Sequence, residues 1–452
     1  MYRKVENQIK NWILGTNKEA LLITGARQVG KTFLIRELLK SNNCDYVEFN
    51  LIEQPSLIPL FESARMNDIN SFLARLSVAT EHELIKGKTI IFFDEVQEYK
   101  DIVTAIKFLV DDGSFKYVLS GSLLGVELRD LRSAPVGYLS IIEMFPMDFE
   151  EFLIALKVKQ ETLDYLNECF TEQKEVDSFI HERIIDTFYT YLVVGGMPEA
   201  VQTYIDENDF NKVSKVHEKI IEFYKRDFTK YEKKDKLKLI KTYDLIPSEL
   251  NAKNKRYIFT DLDKNLKFDR YENSFNWLSD AGVALPIFNT TEPVVPLKIN
   301  KQSNLFKLFL SDIGMLSTLF GRATQIKLLE KAEEINCGAI FENAVAQELF
   351  AHGYEGYYYA NKKKGEVDFL IEYEGSCLPI EVKSGKDYTQ HSALTNILSN
   401  DDYKIKKAFV FSTYNLSVKG KIVYLPIYML MFINEKAIPL PQKERINLAE
   451  LG

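Results

Sequence analysis

Residues 25–32 read Gly25-Ala26-Arg27-Gln28-Val29-Gly30-Lys31-Thr32, two glycines enclosing four residues and followed by a lysine and a threonine. Backbone N–H groups of such a loop, with the N-terminus of a following helix, form a cradle for anions. Lys31 then supplies a positive charge at β- and γ-phosphates, and the Thr32 hydroxyl a ligand for Mg²⁺. The flanks fit this reading. Ala20-Leu21-Leu22-Ile23 is a short apolar run suited to a buried strand, and Phe33 to Leu39 has the apolar spacing of a helix. The pattern specifies ATP with Mg²⁺ as the ligand of residues 25–32.

A second run, Thr89-Ile90-Ile91-Phe92-Phe93-Asp94-Glu95-Val96, is an apolar strand closed by two acids. Asp94 suits a Mg²⁺ ligand beside the phosphate loop. Glu95, one residue on, points elsewhere and is the candidate to polarise an attacking water. A third strand, Tyr117-Val118-Leu119-Ser120, runs into Gly121-Ser122 and puts Ser120 where a γ-phosphate is sensed. Tyr46–Asn50 adds a further strand in the stretch between residues 32 and 94, as in ATPases whose nucleotide and metal strands are not neighbours.

Far along the chain a different chemistry is written. Gly365–Ile371 reads as one strand, Leu378–Ser384 as the next, and Tyr373-Glu374-Gly375-Ser376 as the turn between them. Asp368 on the first strand faces Glu381 and Lys383 on the second, where the two-residue period puts both on one face. Two carboxylates hold Mg²⁺ through oxygen ligands and retained waters. A lysine beside them stabilises charge developing on a phosphate. Upstream, Phe341–Leu349 is helical, and Glu342 is either a further metal ligand or an acid favoured near a helix start.

The elements that must position these residues follow from patterning. Residues 1–18 form an amphipathic helix with Val5, Ile9, Trp12 and Ile13 on one face. Strands and helices alternate from 20 to about 145, the signature of a parallel sheet covered on both faces. Pro146 ends that region. A mainly helical segment follows, broken at Gly195-Gly196-Met197-Pro198. Ile246–Leu278 and a proline-punctuated hairpin to Leu297 suggest a winged helix, and a separate α/β unit begins near 303. The boundaries expected are 1–150, 151–235, 236–300 and 301–452.

Composition sets limits. Thirty Phe and twenty-four Tyr are ample for several cores. A net charge of −8 argues against coating nucleic acid along the whole surface. Basic stretches remain at Lys225–Lys241, including Lys233, Lys234, Lys236 and Lys238, and at Lys362-Lys363-Lys364. Each is either a phosphate-binding face or a solvated one. Cys44, Cys169, Cys337 and Cys377 are scattered, which suits a reducing cytoplasm without disulfides. No run approaches the ~20 apolar residues of a membrane span. Leu425–Ile433 reads as a buried strand.

With these motifs in hand, the chain resembles a group of prokaryotic AAA+-type P-loop ATPases that carry a C-terminal restriction-endonuclease-like domain. The residues that carry the resemblance are Gly25–Thr32, Phe93–Gln97, Leu119–Ser122, Phe145-Pro146 with Glu150-Glu151-Phe152, Gly195–Val201, Asp312–Leu316, Gly338–Asn343, and the Asp368/Glu381/Lys383 set. The resemblance implies an α/β fold with an ATPase core, a helical lid, a winged-helix-like segment and a nuclease-like domain. Relatives carry a basic residue where Tyr138 follows Gly137 here, so Arg129 or Arg132 would have to serve as sensor or finger. Three functions are open: an ATP-driven switch controlling a Mg²⁺-dependent DNA-processing domain, an ATPase with a silent nucleic-acid-binding domain, or an ATP-gated module for a protein partner or a second copy of the chain. The first is expected.

Overall fold

The computed structural model describes residues 1–61, 68–99, 101–122, 137–231, 236–252, 256, 272–332 and 338–434. Arg129, Arg132, Lys233, Lys234 and Cys337 lie outside the described residues.

The first sheet contains β1 (Ala20–Thr24), β2 (Tyr46–Asn50), β3 (Ile90–Asp94), β4 (Lys116–Ser120) and β5 (Leu139–Glu143), in the order β2-β3-β4-β1-β5. Every pairing is parallel. β1 and β3 are buried at every residue, as continuous apolar runs in a parallel sheet must be. The strand separating the phosphate-loop strand from the Asp94 strand is β4, and β2 sits at the outer edge. One face, with Leu22, Phe49, Ile91, Phe93 and Leu119, packs under the helices Ile69–Val78 and Asp101–Asp112. The other face, with Leu21, Ile23, Phe92 and Val118, opens into a core that runs on to Ile433.

That continuous core organises the rest. The helix Glu6–Leu14 buries Ile9, Trp12 and Ile13 in it, the face expected from their spacing. The helices Phe149–Ala155, Gln160–Glu172, Ser178–Val194, Pro198–Glu207 and Phe210–Tyr231 follow the sheet. The second sheet contains β6 (Ala284–Thr290), β7 (Lys301–Leu310), β8 (Tyr357–Asn361), β9 (Gly365–Tyr373), β10 (Ser376–Val382), β11 (Ala408–Ser412), β12 (Ser417–Lys419) and β13 (Ile422–Pro426). Its order is β12-β13-β11-β10-β9-β8-β6-β7. β8, β9 and β10 form an antiparallel meander preceded by the helix Gly338–Ala351. The helix Ser392–Leu398 then returns the chain to β11, which is parallel to β10. Glu374 and Gly375 both have positive φ, the twist that a two-residue hairpin needs.

Three expectations change. The hairpin read as the end of a winged segment is β6 and β7, and β6 pairs with β8, so it is the edge of the C-terminal sheet. A boundary at 300 would cut that ladder; the rest of the segment falls partly outside the described residues. The unit after 303 is not separate, because its strands and the helical segment share one core. Leu425–Ile433 is a strand only to Pro426, after which Ile427–Phe432 is a buried 3₁₀ turn. Proline has no N–H for the ladder, and alternation cannot distinguish so short an apolar run from a buried turn.

The joint between the halves is a close approach of backbone. The Met147 amide donates to the Gly196 carbonyl at 2.7 Å, and the Gly196 amide donates to Asp312 Oδ2 at 2.7 Å. Asp312 Oδ1 accepts from Met315 at 2.8 Å, capping the helix Ile313–Phe320. A Cβ on Gly196 would overlap the Met147 carbonyl, and one on Gly314 would lie 2.7 Å from the Gly195 nitrogen. Gly196→Ala should therefore cost about 3 kcal/mol, the upper end for forced overpacking, read as a lowered apparent midpoint of urea unfolding. Gly385→Ala, whose added carbon meets nothing within 4 Å, should change it by under ~0.5 kcal/mol. Equal shifts in both would show that the joint tolerates a side chain.

Candidate functional site

β1 delivers the chain to Gly25, whose φ of +131° and contact with the Met144 carbonyl leave no room for a side chain. The loop turns through Gln28 and Gly30, at φ 68° and 93°, into the helix Lys31–Ser41. Gly30 precedes that helix without a side-chain cap, so its first N–H groups face a cleft of about 270 Å³. Arg27, Gln28, Lys31, Thr32, Glu95 and Ser120 line it. The buried Lys31 ammonium donates to the carbonyls of Gly25 at 3.0 Å and Ala26 at 2.7 Å. Burial lowers its pKa to about 8, against the pull of Glu95 and Asp94.

Asp94 is the hub on the other side. Thr32 Oγ1 donates to its two oxygens at 3.0 and 3.2 Å, Asn50 Nδ2 donates to Oδ2 at 3.0 Å, and the Ser120 hydroxyl donates to Oδ1. Burial raises the Asp94 pKa, and the neighbouring Glu95 adds to the effect. The oxygens of Thr32 and Asp94 thus converge, as a shared Mg²⁺ requires of them. Glu95 stands in the left-handed region at φ 57° and accepts from the Gln97 amide. A non-glycine residue held there marks strain stored at a site.

Sequence reasoning missed Asn50, Arg3 and Tyr224. Asn50 had a signal, since it closes β2 directly opposite Asp94. Arg3 had none: its guanidinium donates to the carbonyls of Val29 at 2.8 Å and Phe145 at 2.6 Å, and to Glu151 at 3.0 Å. Tyr224 donates to the Arg27 carbonyl at 3.0 Å, and the Arg27 side chain is spent on Asp227 and Ser122.

In the C-terminal sheet the register Ile380↔Phe369 brings Asp368 beside Glu381. Asp368 Oδ2 accepts from the Val382 amide at 2.9 Å, and Lys383 Nζ donates to Glu381 Oε1 at 2.8 Å, on one face as expected. Glu381 is buried with no hydrogen-bond partner on Oε2. Burial, then Asp368, push its pKa up to about 8 against the pull of Lys383. Glu342 is buried on the helix Gly338–Ala351 and adds to the charge felt at Glu381 and Lys383. An orphaned carboxylate oxygen among acids fits a divalent cation.

One residue there was unforeseen. Lys307 on β7 is fully buried, 2.7 Å from Glu366 and 3.9 Å from Glu342. Burial alone would lower its pKa; Glu342, Glu366 and Asp368 outweigh that and hold it above the ordinary value. Its signal was a lone lysine in Leu305-Phe306-Lys307-Leu308-Phe309-Leu310. Among the described residues, Asp148, Glu348 and His352 form the one group of three whose ligand atoms all lie within 4.8 Å of one another. Lys4 Nζ already lies 2.6 Å from Asp148 there. Glu342, Asp368 and Glu381 stand further apart than that. Lys364 of the basic run donates to the Tyr403 hydroxyl at 2.6 Å.

No helix among the described residues is long and apolar enough to cross a membrane. The chain is similar to the uncharacterized protein MJ1637 of Methanocaldococcus jannaschii, 25% identical over 454 residues, covering 94% of this chain and 87% of that one. Similar solved structures include a Walker-type ATPase of Pyrococcus abyssi, 16% identical with a TM-score of 0.42, covering 71% of this chain and 95% of that one. Cdc6p of Pyrobaculum aerophilum is 13% identical with a TM-score of 0.26, covering 72% and 92%. Residues 185–326 and 337–430 match two families described as domains of unknown function, DUF8612 and DUF4143. Residues 17–153, with the phosphate loop, Asp94 and Ser120 inside them, match the AAA domain family, and this part of the chain is a P-loop ATPase of that group.

Proposed function

We propose that the protein is an ATP-hydrolysing switch whose nucleotide state controls a Mg²⁺-dependent, nucleic-acid-processing unit at its C-terminal end. On binding ATP, Lys31 exchanges the Gly25 and Ala26 carbonyls for β- and γ-phosphate oxygens, which restores the charge its burial disfavours. Thr32 and Asp94 are the groups that would hold Mg²⁺, which neutralises phosphate charge when bound. Glu95 polarises the attacking water, Gln97 fixes its carboxylate, and Ser120 reports the γ-phosphate through Asp94.

The observation that carries the C-terminal half is the orphaned Glu381 Oε2 beside Asp368 and Lys383. Asp368, Glu381 and Glu342 would hold the cation, and Lys383 stabilises charge on a phosphodiester as water adds to phosphorus and the leaving oxygen takes up a proton. The helix, three-strand meander, helix and parallel strand that present them support the restriction-endonuclease-like reading. A second reading, a silent binding domain, is favoured by Lys307, whose ammonium already offsets Glu342 and Glu366.

Lys31→Ala should abolish binding of a fluorescent ATP analogue. Glu95→Gln should bind it normally while phosphate release falls at least ~10²-fold. Equal loss of binding in both would make Glu95 structural. In nucleotide-free protein, calorimetry should show Mn²⁺ affinity rising about tenfold per pH unit up to about 8, the pKa of Glu381, because the cation takes only the ionised carboxylate. Glu381→Gln should remove that dependence. Lys383→Ala should keep Mn²⁺ binding and lose the chemical step. No divalent-dependent cleavage of DNA or RNA, with or without ATP, would leave the second reading.

A further inference from the structure

A cleft of about 680 Å³, larger than the one at the phosphate loop, lies away from the nucleotide site. It lies between the helix Ser178–Val194 and the loops at the carboxyl ends of β10 and β11, where Ser384-Gly385 and Thr413-Tyr414 leave the sheet. In α/β sheets ligands settle outside the carboxyl ends of the strands. Ser384 directly follows Lys383, so the cleft adjoins the group placed at the reacting phosphate.

Its charges are divided. Lys327, Lys331 and Lys386 line it, as do Glu182 and Asp186 of the helix. His181 is already committed, its ring nitrogens at 3.0 Å from the Tyr428 hydroxyl and 3.1 Å from the Thr413 carbonyl. Lys331 pairs with Asp186, but their side chains are 42% and 49% exposed. A pair this exposed to water contributes little, so a phosphate displaces Asp186 at little cost. Tyr414 lines the cleft with 38% of its surface exposed, and Tyr388 stacks on it at 4.2 Å and 18°. One ring face is therefore backed and the ring is held rigid, as a platform for a flat ligand must be.

We infer that this cleft binds a segment of single-stranded nucleic acid, with a base on Tyr414 and phosphates on Lys327, Lys331 and Lys386, flanking the phosphate held at Glu381 and Lys383. The inference rests on the reading of the C-terminal unit as nucleic-acid-processing and adds its substrate class. Every base has a face to stack, so recognition is tolerant of sequence. The volume is that of a site enclosing one drug-sized ligand, roughly one or two nucleotides, and a paired duplex keeps its bases from a tyrosine platform.

The test measures anisotropy of a labelled oligothymidylate, and of the same strand in a duplex, in EDTA so that no cleavage occurs. The single strand should bind more tightly. Lys327→Glu with Lys386→Glu should weaken it at least tenfold and flatten the salt slope by about 1.4, two phosphates at ~0.7 each for single strands. Tyr414→Ala should weaken it about fivefold or more with the slope unchanged. Asp186→Asn should tighten it, because Lys331 is released. Unchanged binding of a fluorescent ATP analogue certifies that each variant is folded. Equal affinity for duplex, no binding at low salt, or indifference to all three substitutions would overturn the inference. Cleavage that persists in cleft variants with unchanged binding overturns the cleft and leaves the nuclease reading standing. Cleft-dependent binding without any metal-dependent cleavage does the reverse.

Discussion

The architecture turns on one carboxylate that grips backbone. Asp312 is fully buried, and burial raises its pKa to about 6 although amides of Gly196, Met315, Gly314 and Met197 all pull it down. Those amides satisfy its oxygens only because Gly195, Gly196 and Gly314 bring three stretches of main chain to contact distance. His217 seals the same joint, with its ring nitrogens 3.0 Å from the Val194 carbonyl and the Thr318 hydroxyl, and burial keeps it neutral with a pKa of about 4. A buried charge that loses such partners costs several kcal/mol, so the segments on either side of the joint keep their relation or come apart together. The path leads back to the nucleotide site, because Pro198 follows the glycines and lies where a Cβ on Gly30 would meet it at 3.6 Å.

A second tie crosses the same divide from the N-terminus. Arg3 holds the Val29 carbonyl inside the phosphate loop, while Lys4 bridges Asp148 at 2.6 Å and Glu150 at 2.7 Å. Asp148 caps the helix Phe149–Ala155 and meets His352 of the C-terminal unit at 3.3 Å. Glu348, one turn before His352, accepts from the Phe149 amide at 2.6 Å, and burial raises its pKa well above the usual carboxylate range. Two adjacent residues of the chain thus touch the phosphate loop on one side and His352, just past the helix Gly338–Ala351, on the other. Phosphate loop and helix are thus joined by hydrogen bonds and ion pairs as well as by the chain between them.

What could be read from the sequence was local. Gly25–Thr32, the acid-terminated strand at Asp94 and the Glu374-Gly375 turn each declare themselves within a few residues, and the structure forms a cradle, a hub and a hairpin at those places. The face of residues 5–13 was legible from its period alone. Long-range consequences were not. Nothing near β6 says that it pairs with β8 across some seventy residues, so its hairpin looked like a wing. Arg3 and Lys307 matter through partners 26 and 35 positions away, and no spacing rule reaches that far. The renewed alternation of helix and strand after 303 suggested an independent unit because its other wall, the helical segment, lies far off in the chain.

The C-terminal cluster also shows how a protein interior can hold several acids side by side. Glu342, Glu366, Asp368 and Glu381 crowd together, and four bare carboxylates there would repel one another across a medium that screens poorly. Lys307 and Lys383 bring two positive charges, and the raised pKa of Glu381 lets it keep a proton at neutral pH. On the proposed reading, a divalent cation held beside Asp368 would have Glu381 as a ligand only in its ionised form. Lys307 is fixed on a sheet strand behind the acids, whereas Lys383 stands at the strand end, partly exposed and next to the cleft. The buried lysine is thus committed to the acids it balances, while Lys383, paired with Glu381 at 2.8 Å, is the one the proposed reading places at a phosphate.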